Sequence, residues 1–398
     1  MSNVFGGLEP VDADPLLGLM AAARRDPRPG KIDLSVGIYK DDAGATPVMA
    51  AVRAAERQIL ESQATKAYEG PQGNPDFCAR IESLALGETS ERRVTFMTPG
   101  GSGGLFIGFR LAARVAQGAR AWMSDPCWPN HPGIARSLGF ACHTYRYRPR
   151  PDGRADLELM AEDLAGARPG DVLLVQGACH NPTGVDLDPA GWRQLAELVQ
   201  ARGVLPFVDV AYQGFGDGLG ADMAPIRDFL ASVPEALVSY SCSKNFGLYR
   251  ERTGALIVQA AAPGAAEAVK GHTARLVRTS YSMPPAHGAA VVATILGDEE
   301  LRVRWQDELD RMRQRMMRLR SRLGEALAAA TGRNSLLTIA KQKGMFSQLP
   351  IGPDGAAALR RDHAVYMPES GRINIAGLDE SRIDELAGTL APHISPEG

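Results

Sequence analysis

The chain has no excess of either charge. Its 44 Lys and Arg residues stand against 46 Asp and Glu, a formal net charge of -2 over 398 residues. Such a balance gives no electrostatic reason to expect nucleic acid as a partner. No apolar run approaches the ~20 residues needed to span a bilayer. The opening "MSNVFGGLEPVDADPLL" has no basic stretch ahead of an apolar one, so it does not read as a signal peptide. Cysteine is sparse and scattered, at Cys78, Cys127, Cys142, Cys179 and Cys242, with no C-x-x-C pair. That argues against a zinc knuckle or a redox dithiol, and no metal site is expected. Reduced thiols in a cytoplasmic compartment are the reading that fits. Internal repeats and low-complexity tracts are missing too.

What is present is a soluble globular composition, 44% hydrophobic and 23% charged. The length exceeds the roughly 250–300 residues at which single cores stop growing, so two domains are expected. Residues 1–47 form an extended lead punctuated by Gly and Pro. After it, strand and helix patterns alternate. "MAAVRAAERQILESQ" has helical spacing; "RRVTFMTPGGSGGLFIGFRLAARVA" reads as strand, Gly-rich turn, helix. "DVLLVQGACHNPTG", "GVLPFVDVAYQGF" and "EALVSYSCSKNFG" are short apolar runs, and "TGALIVQA" follows the last with no helix between. The pattern predicts a mostly parallel sheet with helices on both faces and one strand of opposite direction. Over 301–323, Leu301, Trp305, Leu309, Met312, Met316, Leu319 and Leu323 recur at helical steps. The other face is rich in arginine but broken by Asp307, Glu308 and Asp310, which favours a solvated helix joining two domains. A smaller α+β region containing "GRINIAG" ends the chain.

Three constellations carry chemistry. "TPGGSGG", Thr98 to Gly104, joins a strand to a helix, where backbone N–H groups and the helix dipole favour an anion and Ser102 adds a hydroxyl. It matches neither nucleotide-binding glycine motif, since position 106 is Phe; a tight turn without a ligand is the bland alternative. Asp209 ends an apolar run, where an acid is costly unless paired, with a helix cap or ion pair as its bland alternative. Lys244 follows a third strand, beside Ser241, Ser243 and Arg252; a lone lysine is usually a surface charge. In open parallel sheets, however, ligands bind outside the carboxyl ends of the strands. Three such ends would turn an anion cup, an acid and a lysine towards one crevice.

Pyridoxal phosphate needs all three: donors for its phosphate, a carboxylate for its ring nitrogen, and an amine for its aldehyde. "HNPTG" adds the Asn181 amide for the ring hydroxyl oxygen. The chain then resembles the class I aminotransferases, in particular the aspartate and aromatic amino acid aminotransferases of fold type I. The resemblance runs over nearly the whole length, through "DADPLLGL", "GIYKDDAG", "TPGGSG", "DPCWPNH", "CHNPTG", "DVAYQGF", "SKNFGLYRERTG", "YSMPPAHGA" and "SGRINIAG" in that order.

The resemblance implies a large α/β domain with a mostly parallel seven-stranded sheet, at 48–311, and a smaller α+β domain. Residues 1–47 form an arm and part of the small domain, and 312–398 the rest of it. It implies pyridoxal 5′-phosphate held by Gly101, Ser102, Ser241, Ser243 and Arg252 at the phosphate. Trp128 would stack on the ring, and Asn181 and Tyr212 would meet its hydroxyl oxygen. Asp209 would pair with the ring nitrogen, backed by His131. Lys244 would bind the aldehyde and carry the proton at the substrate Cα, forming the catalytic set with Asp209 and Tyr212. Arg372 and the Gly37 N–H would grip the substrate α-carboxylate, near Trp128 and Asn181. Tyr68 and Arg278 would reach in from the partner subunit of a homodimer, at a phosphate and a side-chain carboxylate respectively.

Arg278 favours dicarboxylic substrates, with 2-oxoglutarate as acceptor. Yet Met283 and Ala67 stand where aspartate enzymes usually carry asparagine, Ser102 where threonine is usual, and Ile38 where valine is. Lys40 and Thr46 stay as in aspartate enzymes. The resulting expectation is ping-pong transfer from tyrosine, phenylalanine or tryptophan, and from aspartate, to 2-oxoglutarate. A strict aspartate aminotransferase is the alternative. A lyase or decarboxylase on the same cofactor, and a non-catalytic binding protein, are readings from other classes.

Overall fold

The runs "VLLVQ", "LPFVDV", "ALVSYS" and "TGALIVQ" are apolar almost throughout rather than at alternate positions. Strands of that kind must be covered on both faces. In the computed structural model all of them are strands with nearly every residue buried. The structure describes residues 5–10, 14–150 and 152–395. Residues 1–4 and 11–13 of the expected arm lie outside the described residues.

The strands, in chain order, are β1 (Ile32–Asp33), β2 (Arg93–Pro99), β3 (Arg120–Asp125), β4 (Ala141–Arg146), β5 (Val172–Gln176), β6 (Leu205–Val210), β7 (Ala236–Ser241), β8 (Thr253–Gln259), β9 (Phe346–Gln348), β10 (Val365–Tyr366) and β11 (Arg372–Asn374). Seven of them form one sheet in the order β2-β8-β7-β6-β5-β3-β4. β7, β6, β5, β3 and β4 run parallel, and β8 is antiparallel to both its neighbours. That is the opposite strand expected from the helix-free link after Ser241. β2 therefore points the same way as β7. The carboxyl ends at Pro99, Asp125, Gln176, Val210 and Ser241 line one edge of the sheet.

One local expectation differs. The sequence places a Gly-rich turn at Thr98–Gly104, but the helix Gly100–Val115 already begins inside it. Gly100 makes the whole reversal, at φ 68, so the residues after it are free to be helical. Gly108 is small for another reason: a Cβ there would sit 2.4 Å from the Phe207 ring of β6. Glycine lets this helix lie flat on the sheet and aim its first turn at the sheet edge.

The two ends of the chain meet. β1 pairs in parallel with β10, setting Ile32 opposite Val365, and β9 pairs antiparallel with β11. The long helix is a single unbroken element, Glu299–Thr331, capped by Asp298 and ended by Gly332 in the left-handed conformation. The expected boundary at 311/312 falls within it. Its seven periodic apolar residues are all buried. Its exposed arginines pair with acids one turn away, as in Arg302–Glu299 and Arg304–Glu300. Such pairs contribute only ~0.3–0.5 kcal/mol each. Trp305 on this helix donates to the Asn245 carbonyl at 2.7 Å, and its ring stacks on Phe246 at 4.4 Å. The helix thus holds the two residues that follow Lys244.

Candidate active site

Each strand end at the shared edge delivers one chemical group. β7 ends at Ser241, and Lys244 follows after two residues. The next turn is pinned: Asn245 Nδ2 donates to the Tyr240 hydroxyl at 2.9 Å, and that hydroxyl donates to Gln213 Oε1 at 2.7 Å. β6 carries Asp209 in register with Gln176 of β5 and Ser239 of β7. β2 leads through Gly100 into the first turn that holds Gly101 and Ser102.

These groups line one cavity of about 220 Å³. Gly101, Ser102, Trp128, Asn181, Asp209, Tyr212, Ser241, Ser243, Lys244 and Arg252 of the expected set all border it. At one end Ser102, Ser241, Ser243, Arg252 and the first turn of the helix converge, a donor set suited to a phosphate. Arg252 Nη1 donates to Ser243 Oγ at 3.2 Å, and Arg252 holds a left-handed φ of 52. Strained backbone of that kind concentrates at ligand sites. Across the cavity, Asp209 is buried and meets His131 Nε2 at 2.9 Å. A buried carboxylate with one imidazole partner keeps an oxygen for a cationic ligand atom. Trp128 stands edge-on to His131, with ring centroids 5.2 Å apart. Behind this pair, His180 lies between Ser124 Oγ at 3.0 Å and Thr183 Oγ1 at 2.9 Å and stacks on Tyr147. Burial pushes its imidazole down to about 3, so it stays neutral.

Lys244 Nζ lies 4.8 Å from the centre of the Tyr212 ring. Burial pulls its amine down to about 8, with Asp209 opposing and Arg252 assisting that shift. A neutral amine is the nucleophile. In protein free of cofactor, capture of pyridoxal 5′-phosphate by Lys244 should therefore rise about tenfold per pH unit and level off near pH 8. Stopped-flow absorbance across pH 6–10 checks this; a rise continuing to pH 10 would mean an ordinary lysine. Burial pushes the Tyr212 phenol above its usual range, so at neutral pH it is a hydroxyl.

Arg372 leaves β11 into the same region. Its guanidinium is buried, lies 4.4 Å above the Phe346 ring, and donates to the Ser35 carbonyl at 2.7 Å and Asn181 Oδ1 at 3.4 Å. Its Nε has no hydrogen-bond partner among the described residues. Burial lowers its pKa, with Tyr212 opposing that shift, because the cation is desolvated. Gly37 packs against the same ring: a Cβ would meet Phe346 Cζ at 2.7 Å. The donor set thus fits both a phosphate-bearing aldehyde and a carboxylate ligand.

Tyr68, Arg278 and Met283 stand apart from this cavity, and Ile38 does not border it either. Tyr68 is 94% exposed. Arg278 is exposed too and reaches Ser282 Oγ. Met283 Sδ accepts the Glu69 N–H at 3.1 Å, so the 67–69 and 278–283 segments adjoin each other on the protomer surface. Sequence reasoning missed several contributors. Gln176 holds Asn181 by both its carbonyl and its N–H, at 2.9 Å each. Tyr249 also lines the cavity. Its signal was its place inside "SKNFGLYRERTG", five residues past Lys244.

A family model described as "Aminotransferase class I and II" matches residues 29–390. A tyrosine aminotransferase of Rhizobium meliloti is 48% identical over 387 residues, covering 97% of this chain and 99% of its own. An aspartate aminotransferase of Escherichia coli is 40% identical over 392 residues, covering 97% and 99%. A solved aromatic-amino-acid aminotransferase from Burkholderia pseudomallei, described as covalently bound to pyridoxal phosphate, superposes with a TM-score of 0.95. It is 37% identical, covering 99% of this chain and 100% of that one.

Proposed function

The chain belongs to the class I and II aminotransferases, and we propose that it is a pyridoxal-phosphate enzyme moving the amino group of aromatic amino acids, and of aspartate, to 2-oxoglutarate by a ping-pong route. The observation that carries this reading is the single cavity bordered by Lys244 and by Asp209, itself held by His131, with the Arg372 guanidinium, its Nε unpartnered, nearby.

When bound, the cofactor supplies an aldehyde and an electron-withdrawing ring. Ser102, Ser241, Ser243, Arg252 and the helix first turn would hold its phosphate, and Trp128 would lie against its ring. Asp209, kept in place by His131, would pair with the ring nitrogen. Asn181 and Tyr212 would serve the ring hydroxyl oxygen. Arg372 and the Gly37 N–H orient the amino acid by its α-carboxylate, a job for a planar fork. Lys244 Nζ would hold and move the proton at the substrate Cα. A proton carrier whose pKa lies near 8 is suited to working in both directions near neutrality.

Tyr68, Arg278 and Met283 belong, in this reading, to the site of a second copy. The exposure of Tyr68 and Arg278, and the contact of half-buried Met283 with Glu69, support a homodimer with shared sites. Residues 1–47 with 312–398 act as the smaller domain, supported by the β1–β10 pairing. Five free thiols favour a cytoplasmic location.

The aromatic preference rests on Met283, Ala67, Ser102 and Ile38, which remove amides and add apolar surface around the side-chain end. Lys40 and Thr46 favour the strict aspartate reading. A donor panel with 2-oxoglutarate decides between them by kcat/KM for tyrosine, phenylalanine, tryptophan and aspartate. Negligible aromatic turnover would leave the aspartate enzyme. Met283→Asn should move the aromatic-to-aspartate ratio about tenfold towards aspartate, a shift worth ~1.4 kcal/mol; an unchanged ratio would remove Met283 from the selectivity.

A further inference from the structure

We propose, resting on the reading above, that Tyr249 is a positioning residue that ties the phosphate end of the cavity to the loop forming its substrate end. Two hydrogen bonds pass through this one residue. Its hydroxyl accepts the Tyr39 N–H at 3.1 Å. Its backbone carbonyl accepts from Arg252 Nη1 at 3.3 Å, the same nitrogen that reaches Ser243 Oγ. Arg252 is also closed in from the other side, since a Cβ on Gly100 would sit 2.6 Å from its Nη2. A group that fixes Arg252 therefore fixes the Tyr249 carbonyl, and with it the ring.

The far end of that ring is the loop 35–46, which carries Gly37 and Ile38. Its other ties come from the C-terminal part of the chain or from the long helix. Asn374 Nδ2 donates to the Val36 and Ile38 carbonyls at 2.6 and 2.9 Å. Lys40 N–H donates to the Ala376 carbonyl at 3.0 Å. Arg315 Nε meets Asp42 at 2.6 Å. Among the described residues, the Tyr249 hydroxyl makes the one hydrogen bond recorded between this loop and the 239–254 segment. Tyr39 is buried, and a buried backbone N–H needs a partner. Burial pushes the Tyr249 phenol up to about 12, so the hydroxyl keeps its proton at neutral pH. Phosphate binding at Arg252 and loop position near the substrate then share one rigid side chain. If Tyr249 merely filled space, phenylalanine would do the same work.

The test is Tyr249→Phe, which keeps the ring and the backbone carbonyl and deletes the bond to Tyr39. In the holoenzyme, KM for amino donors should rise about tenfold, a factor equivalent to ~1.4 kcal/mol, while kcat stays within about twofold. A fall in kcat with KM unchanged, or no change in either, overturns the proposal. Hydrogen exchange gives a readout without turnover. Adding pyridoxal 5′-phosphate to cofactor-free wild type should slow exchange of the Tyr39 amide about tenfold and leave the Lys40 amide unchanged. In the variant the Tyr39 response should vanish. The wild-type arm stands even if the variant folds poorly: an unmoved Tyr39 amide overturns the coupling. A protein that binds the cofactor and transaminates while Tyr39 exchange stays unmoved overturns this inference alone. A protein that does neither overturns the function and this inference together.

Discussion

Lys244→Ala is expected to lower kcat for every amino donor by about 10⁴-fold or more, because in the proposed reading one substitution removes both the amine that meets the aldehyde and the proton carrier at Cα. The lost interactions lie in the chemical step, so KM should change far less than kcat. The fold should survive. Asn245 remains bonded to Trp305 and Tyr240, and Phe246 remains stacked. Removing an amine held at a pKa of about 8 also relieves an unfavourable burial. Single-turnover assays with an aromatic donor and with aspartate check the rate. Borohydride reduction in the presence of pyridoxal 5′-phosphate, followed by peptide mapping, checks the site. Wild type should carry the label on residue 244, and the variant should carry none there. Label on another lysine, or a variant within tenfold of wild type, would overturn the assignment.

Arg372→Ala should lower kcat/KM by roughly 30- to 4000-fold, the effect of removing one member of a buried charge pair at about 2–5 kcal/mol. The guanidinium is buried over Phe346 with its Nε unsatisfied, so an incoming carboxylate meets a cation with little water to displace. Lysine in its place keeps the charge but loses the fork, so Arg372→Lys should fall between the two. A second comparison isolates the α-carboxylate. Wild type should strongly prefer an amino acid over the corresponding amine that lacks the carboxylate, and Arg372→Ala should lose most of that preference. If both ligands fall equally, Arg372 supports the fold rather than the substrate.

The cluster at the proposed cofactor end was legible because it is local. Lys244, Ser241, Ser243 and Arg252 lie within twelve residues, and the apolar runs before each reactive residue identified the strand ends. The orientation of β8 was legible from the missing helix. The start of the helix at Gly100 was not, because four glycines in six residues weaken any helical signal while the sheet packing that favours the helix lies elsewhere in the chain. Longer-range contacts were invisible for the same reason. Arg372 meets Ser35 337 positions away, and Tyr39 meets Tyr249 across 210. No pattern in a single sequence links such pairs; the first lies beside the β1–β10 pairing, and the second sets the loop after β1 on the turn between β7 and β8.

The long helix has one more consequence. Trp305 grips the peptide next to Lys244, while Arg320, fully buried fifteen residues further along, binds the carbonyls of Gly344 and Phe346. Phe346 is the ring beneath Arg372. At 1.5 Å per residue, these two grips sit about 22 Å apart on one rod. The helix works as a brace: one rigid element ties the turn after Lys244 to the strand that carries the ring under Arg372. A break in this helix would therefore loosen both ends of the cavity region at once.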